Sequence, residues 1–306
     1  MNAIVVKDFD EAPEYGQFAE PEASDGEVKI AVSATTLSPL VRLISQGKHY
    51  SGSKQLPFVP GMDGVGRLPG GGRVYFLFPR NPFGSMADFC VVQSKWCVGV
   101  PDDVDDVAAA AISNSGSSSW IALTHRAGLR TGQTVLINGA TGSAGRLAVR
   151  IAKHLGAAKV IATGRNSEKL EALIDEGADA TISLQQADDS LAADYERAFQ
   201  QGVDVVLDYL GGHRAEEVIN AATKGRGSKG GEPPVKFVQI GGVAGKSITL
   251  DTNRLRSSGL EIIGSGLGAF SVDAAILCAG ELLAAIGPAG LSLPVRQFRF
   301  ADAEKA

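Results

Sequence analysis

The chain is poor in cysteine, with only Cys90, Cys97 and Cys278 in 306 residues. None of the three belongs to a Cys-x-x-Cys pair, and no histidine-rich stretch accompanies them. That disfavours both a disulfide framework and a cysteine-built zinc module, and leaves reduced thiols in a cytoplasmic protein as the simplest reading. Positive charge is not in excess either. Twenty-nine Lys and Arg face 34 Asp and Glu, for a net charge of −5, so the basic stripe of a nucleic-acid-binding protein is missing. No apolar run approaches the roughly 18 residues of a membrane span. The opening Met1–Lys7 lacks the basic region and long apolar core of a signal peptide. Aromatics are sparse, at 6%.

Glycine is abundant, at 38 residues, and 44% of the chain is hydrophobic. The length suits two domains, and the composition suits an α/β protein with tight strand-to-helix turns. Short apolar runs at Ala3–Val6, Val28–Ala34, Arg73–Phe78, Met86–Val92 and Trp96–Val100 are separated by Gly/Pro clusters, which predicts a β-rich first domain. Asp105–Ile112 reads as helix, Asn114–Ser119 as a polar break, and Trp120–Ala127 as helix again. Strands then alternate with helices. The strands are Thr134–Asn138, Lys159–Thr163, Ala180–Leu184, Val203–Asp208, Val235–Ile240 and Gly259–Gly264. The helices are Ser143–Leu155, Ser167–Glu176, Leu191–Gln200 and Arg214–Ala222. This alternation predicts a doubly wound parallel sheet, the Rossmann arrangement. Thr223–Pro234 reads as a mobile surface loop. Val272–Ile286 reads as helix and Arg296–Phe300 as strand. Ala301–Ala306 opens a helix that stops after one turn, so the chain reads as cut short there.

The strand Thr134–Asn138 runs into Gly139-Ala140-Thr141-Gly142-Ser143-Ala144-Gly145 and then a strongly amphipathic helix. A glycine turn in that setting lets backbone approach a pyrophosphate and aims helix N–H groups at it. The next strand ends in Gly164-Arg165, with Lys169 one turn further on. NAD-binding proteins usually carry an acid there, whereas Gly164 repels nothing and Arg165 can hydrogen-bond a 2′-phosphate. NADPH is the expected cofactor. Ile240-Gly241-Gly242, Gly264-Ser265-Gly266 and Asp208-Tyr209 end later strands at the carboxyl edge of the sheet, where ligands bind, and join the candidate cofactor set. His49, His125, His154 and His213 are scattered and announce no catalytic pair.

With these residues in hand, the chain resembles the zinc-free, quinone-oxidoreductase-like branch of the medium-chain dehydrogenase/reductase superfamily. The resemblance rests on Leu37-Ser38-Pro39, Gly47–Tyr50, Pro60-Gly61-Met62-Asp63-Gly64-Val65-Gly66, Gly72–Tyr75, Ala127–Ile137 and Val203–Asp208. It departs from the family between Gly66 and Gly72, where relatives carry a longer strand pair. It implies a GroES-like substrate domain over residues 1–115, an NADP-binding Rossmann domain over 116–266, and a return to the substrate domain over 267–306. At the positions of a catalytic zinc set stand Ser38, Met62 and Asn114, a poor ligand set, so no metal is expected. By the same carry-over, Ser118 would contact the cofactor carboxamide. Ser38 and Asn114 would face the substrate, and Tyr50 would offer a hydrogen bond to a carbonyl oxygen as negative charge develops on it. The resemblance further implies a homodimer formed through Gly259–Gly264, a small-molecule substrate, and hydride transfer to a quinone, enone or other activated carbonyl compound. A nucleotide-binding sensor of the same fold, without turnover, is the alternative, and an NADH-linked alcohol dehydrogenase is a third reading.

Overall fold

The computed structural model describes residues 1–49, 52, 55–227, 231 and 233–305. Two compact units emerge: Met1–Ser115 with Val272–Ala306, and Gly116–Ser271.

The first unit opens with β1 (Asn2–Val5) and β2 (Glu14–Gln17), an antiparallel pair. Next come β3 (Glu27–Ala34), α1 (Pro39–Ser45), β4 (Asp63–Arg67), β5 (Arg73–Leu77), β6 (Phe89–Gln93) and β7 (Cys97–Gly99). Strands β3 to β7 form one antiparallel sheet in the order β6-β3-β4-β5-β7. Its alternating apolar positions bury one face, where Ile30, Val74, Phe76, Cys90 and Val92 pack together. The start of α2 (Asp106–Ile121) is tied to this sheet by Arg73. Its guanidinium donates to Asp106 Oδ1 from Nε and Nη2, at 2.9 and 2.6 Å, and from Nη2 to Val104 O at 2.6 Å.

The second unit alternates strand and helix: β8 (Thr134–Asn138), α3 (Ser143–His154), β9 (Lys159–Gly164), α4 (Ser167–Asp175), β10 (Ala180–Ser183), α5 (Asp188–Gln200), β11 (Val205–Asp208), α6 (Gly212–Thr223), β12 (Val235–Gln239), α7 (Thr252–Ser257) and β13 (Leu260–Gly264). All six strands run parallel in the order β10-β9-β8-β11-β12-β13. The order reverses direction between β8 and β11, and ligands bind beyond the carboxyl ends of strands at such a switch point. The inner strands β8, β9, β11 and β12 are mostly buried on both faces and are correspondingly rich in apolar residues. Leu136, Ile161, Val206 and Phe237 meet Leu191, Tyr195, Val218 and Ile219 in one core cluster. In the chain's last stretch, α8 (Val272–Ala285) belongs to the first unit.

Three local expectations need correction. Residues 114–119 are not a break, because α2 runs unbroken from Asp106 to Ile121. A serine in a helix costs only about 0.5 kcal/mol relative to alanine. Burial of Ser113, Ser119, Trp120 and Ile121 outweighs that. A wider π-type turn, Ala122–Ala127, follows and is closed by Gly128 in the left-handed region (φ 59°). Arg296–Phe300 is not a strand; its alternation finds no ladder, and Arg296 lies over the Phe298 ring instead, 4.7 Å from its centroid. Phe300–Lys305 forms a 3-10 turn rather than an α-helical start. Of the expected loop Thr223–Pro234, Ser228, Lys229, Gly230 and Glu232 lie outside the described residues.

Candidate cofactor and active site

The glycine turn links β8 to α3. Gly142 takes the N-cap position with extended backbone, and no side chain caps the helix. The first helical bond runs from Arg146 N–H to Gly142 O at 2.8 Å. The N–H groups of the first turn thus stay open to an anion, reinforced by the helix dipole. Gly142 and Ser143 are exposed, and Thr141 and Ala144 half-buried. Ala140 is wholly buried, and its N–H donates to Thr163 O at 2.7 Å. Gly145 must be glycine: a Cβ there would lie 2.5 Å from Gly139 O and 2.7 Å from Ala140 Cα, so only a bare backbone lets α3 close on the turn. Behind it, Leu147, Ala148, Ile151 and Ala152 bury the inner face of α3.

At the end of β9 stands Gly164. A Cβ on it would lie 2.4 Å from Thr141 Cγ2 and 2.7 Å from Leu170 Cδ1, so no acidic side chain fits without moving the glycine turn. Arg165 is exposed and forms no ion pair with any described residue. It lines a surface pocket of about 310 Å³ with Asn166, Ser167 and Gln185. Asn166 caps α4 by accepting the Lys169 N–H at 2.8 Å. Lys169 is also exposed. An unpaired guanidinium beside a polar pocket suits a phosphate. Gln185 was not among the expected site residues. The signal was indirect: β10 pairs with β9 so that Ser183 faces Gly164, which places Gln185 just beyond the same edge.

Later strand ends complete the edge. The Tyr209 hydroxyl lies 2.7 Å from Ser119 Oγ, with Ser118 also bonded to it, and burial pushes the phenol well above its usual range. Ser119, missed by the sequence reading beside Ser118, also donates to Ala144 O at 3.1 Å. Asp208 needs correction as a direct cofactor ligand: it is wholly buried, and both carboxylate oxygens are already taken by Asn138, Gly211 and Gln239. Ile240 and Gly241 both donate N–H to Asp208 O, at 2.8 and 3.1 Å, and Gly242 follows at the same edge. Gly264 O accepts from Arg126 Nε at 2.8 Å, and Gly266 leads into the short turn Leu267–Ala269. Ser265 N–H donates to Gln239 O, while its buried hydroxyl has no partner among the described residues. A buried hydroxyl without a partner costs about 1–3 kcal/mol, so one at this edge fits a missing ligand. The open α3 terminus, the phosphate-like pocket and Ser265 together fit a dinucleotide.

Comparison with known proteins agrees. Residues 144–278 match the family described as zinc-binding dehydrogenase. A protein named probable NADPH-dependent quinone reductase from Emericella nidulans is 30% identical, over 89% of this chain and 86% of its own. The chain belongs to the medium-chain dehydrogenase/reductase superfamily, in its quinone-oxidoreductase-like branch. Quinone oxidoreductase-like protein 2 of Bos taurus is 31% identical over 65% of this chain and 59% of its own. The quinone oxidoreductase of Thermus thermophilus, solved alone and with NADPH, superposes with a TM-score of 0.78. It is 27% identical and covers 94% of this chain and 89% of that one.

In this quinone-oxidoreductase-like chain, the other candidates lie in the first unit. Ser38 caps α1, its Oγ accepting the Val41 N–H at 3.3 Å. Met62 packs partly buried against the cluster of Val6, Ile44 and Phe58. Tyr50 lies outside the described residues. Asn114 is half-buried, and its Nδ2 donates to Asp63 Oδ1 at 2.9 Å. Asp63 Oδ2 accepts from Tyr75 OH at 2.7 Å. Burial pushes the Asp63 carboxyl up to about 6, against the lowering effect of those two bonds. Among the described residues, no three His, Cys, Asp or Glu side chains cluster to hold a metal.

Proposed function

We propose that the protein is an NADPH-dependent, zinc-independent oxidoreductase that reduces a quinone, an enone or another activated carbonyl compound. The observation that carries this reading is Arg165, exposed and unpaired among the described residues, beside Gly164 at the end of β9. The NADPH-dependent relative and the NADPH complex of the 27%-identical neighbour support it. When bound, the nicotinamide supplies two electrons with a hydrogen nucleus; the acceptor takes up one further proton to become a hydroquinone or saturated carbonyl.

The chain's own residues supply binding and orientation. The open N–H groups of Ser143 and Ala144 at the α3 terminus would hold the pyrophosphate, with Gly142 and Thr141 forming the turn against it. Arg165, with Lys169 nearby, would hold the 2′-phosphate. Ser118, Tyr209, Ile240–Gly242 and Gly264–Gly266 would frame the nicotinamide end. Asn114, whose amide is oriented by Asp63, presents its carbonyl oxygen away from the carboxylate. Tyr50 and Ser38 remain the proposed hydroxyls on the substrate side, and homodimerisation through β13 and a cytoplasmic location belong to the same proposal. Titrating the purified protein with NADPH and NADH, then adding a panel of quinones and enones, tests it. NADPH binding followed by acceptor-dependent oxidation is expected. Binding with no turnover across the panel would leave the sensor reading standing instead.

A further inference from the structure

Behind the glycine turn lies a polar cluster whose central members, Asn138, Thr163, Tyr195 and Asp208, are wholly buried. Asn138 is the last residue of β8. Its Oδ1 accepts from Thr163 Oγ1 at 2.8 Å and Tyr195 OH at 3.2 Å. Its Nδ2 donates to Asp208 Oδ1 at 2.7 Å and Arg214 O at 3.3 Å. From this centre, three bonds reach three different turns. Thr163 Oγ1 accepts the Gly139 N–H at 3.1 Å. Asp208 Oδ2 accepts the Gly211 N–H at 2.8 Å and Gln239 Nε2 at 2.6 Å. Gln239 Nε2 also donates to Gly241 O. The turns after β8, β11 and β12 are thus joined through the Asn138–Asp208 pair, with Thr163 and Gln239 as the outer links.

Stability alone does not call for such a cluster. Packed apolar residues of similar volume generally serve a core at least as well as buried polar groups, whose partial loss is costly. What the cluster does supply is direction. It draws the Gly139 amide inward and holds the Gly211 and Gly241 peptides in register with it.

The geometry points to Asn138 and Asp208 as positioning residues that shape the turns after β8, β11 and β12 to receive NADPH. This inference rests on the NADPH reading above. Neither residue needs to touch the cofactor; each acts through backbone that does.

The bond between them is directional, and that yields a test. In Asp208→Asn, either the Asn138 amide or the Gly211 N–H with Gln239 faces a donor in place of an acceptor. In Asn138→Asp, two carboxylates meet. In the exchanged double variant Asn138→Asp/Asp208→Asn, the central bond reverses, the bonds to Thr163, Tyr195, Gly211 and Gln239 keep a partner, and only the long 3.3 Å bond to Arg214 O is lost. The carboxylate now at position 138 accepts from Thr163 and Tyr195, and the amide oxygen now at position 208 accepts from Gly211 and Gln239. A further variant, Thr163→Val, removes at nearly constant shape the hydroxyl that joins Asn138 Oδ1 to the Gly139 N–H, and leaves the Asn138–Asp208 bond in place. NADPH affinity is measured by cofactor fluorescence in the full chain. 2′-AMP is measured alongside as a probe of the Arg165 end alone, and kcat at saturating NADPH is recorded. Each single variant is expected to weaken NADPH about tenfold, the size of one mispaired buried group. 2′-AMP binding and kcat should be retained, and the exchanged variant should return NADPH affinity to within about threefold of wild type. Single variants that bind NADPH like wild type, or that lose 2′-AMP and NADPH equally, overturn the inference. So does an exchanged variant that folds but binds no better than the singles. If the exchanged variant fails to fold, Thr163→Val decides alone: a selective loss of NADPH supports the inference and no loss overturns it. A wild-type protein that binds neither NADPH nor 2′-AMP overturns the cofactor reading itself.

Discussion

Arg165 carries its charge at the edge of the sheet without a partner among the described residues, and charge is what separates NADPH from NADH at that edge. A guanidinium–phosphate contact is worth about 1.5–3 kcal/mol, so Arg165→Ala is expected to raise the KM for NADPH about 10- to 100-fold and leave that for NADH unchanged. Steady-state kinetics with both cofactors checks it; an equal loss for both would assign Arg165 a structural part. Asp63 makes a second residue-scale prediction. Its folded carboxyl titrates near 6, above the usual carboxylate range, so the native state holds that proton more tightly than the unfolded chain. The resulting stabilisation is complete below about pH 4 and is lost as pH rises through 6. A shift of about 2 pH units corresponds to about 3 kcal/mol. Urea unfolding of the wild type and Asp63→Asn should therefore show the variant gaining about that much relative to wild type between pH 4 and 7. Arg165 was legible in the sequence because local order alone sets it beside Gly164. Asp63, Ser119 and Gln185 were not, because their partners stand far along the chain and only pairing brings them together. Asp208 was placed at the correct edge, but a strand's end does not tell which way its last side chain faces.

At the scale of elements, the contact between α3 and its preceding turn is the most constrained. Gly145→Ala sets a methyl 2.5 Å from Gly139 O, which forces the helix away from the turn. NADPH affinity is expected to fall about 100-fold with the fold retained, because phosphate binding needs the backbone at close range. Calorimetric titration against wild type, with circular dichroism as the control for folding, checks this. The α2 helix makes a second case. Ser119 bridges it to Tyr209 after β11 and to Ala144 in α3. A double-mutant cycle of Ser119→Ala and Tyr209→Phe should show a coupling of about 1 kcal/mol in unfolding free energy. The continuity of α2 could not be read from Asn114–Ser119, since serine's weak local preference is overridden by burial of its neighbours. Strand β4 was equally hard to see: Asp63-Gly64-Val65-Gly66-Arg67 offers one strand-former, and its place is set by β3 and β5 on either side. Arg296–Phe300 shows the converse, an alternating pattern without a strand to pair.

At the scale of the whole molecule, the parallel sheet was legible because its inner strands are apolar-rich runs that alternate with helix-forming stretches. The connection rules for βαβ units then leave few orders. The observed order β10-β9-β8-β11-β12-β13 puts the glycine turn, Tyr209, the Gly241 turn and Ser265 on one edge, although they span over a hundred residues of sequence. Cofactor preference thus follows from architecture plus two residues, Gly164 and Arg165. The acceptor is less legible, because its walls come from loops whose shape no periodicity encodes. The most direct test follows absorbance at 340 nm while the purified protein meets a quinone with NADPH or NADH. We predict quinone-dependent NADPH oxidation with kcat/KM at least about tenfold above that for NADH, the least that one guanidinium–phosphate contact should contribute. Equal use of the two cofactors, or no oxidation of either with any quinone or enone, would contradict the account.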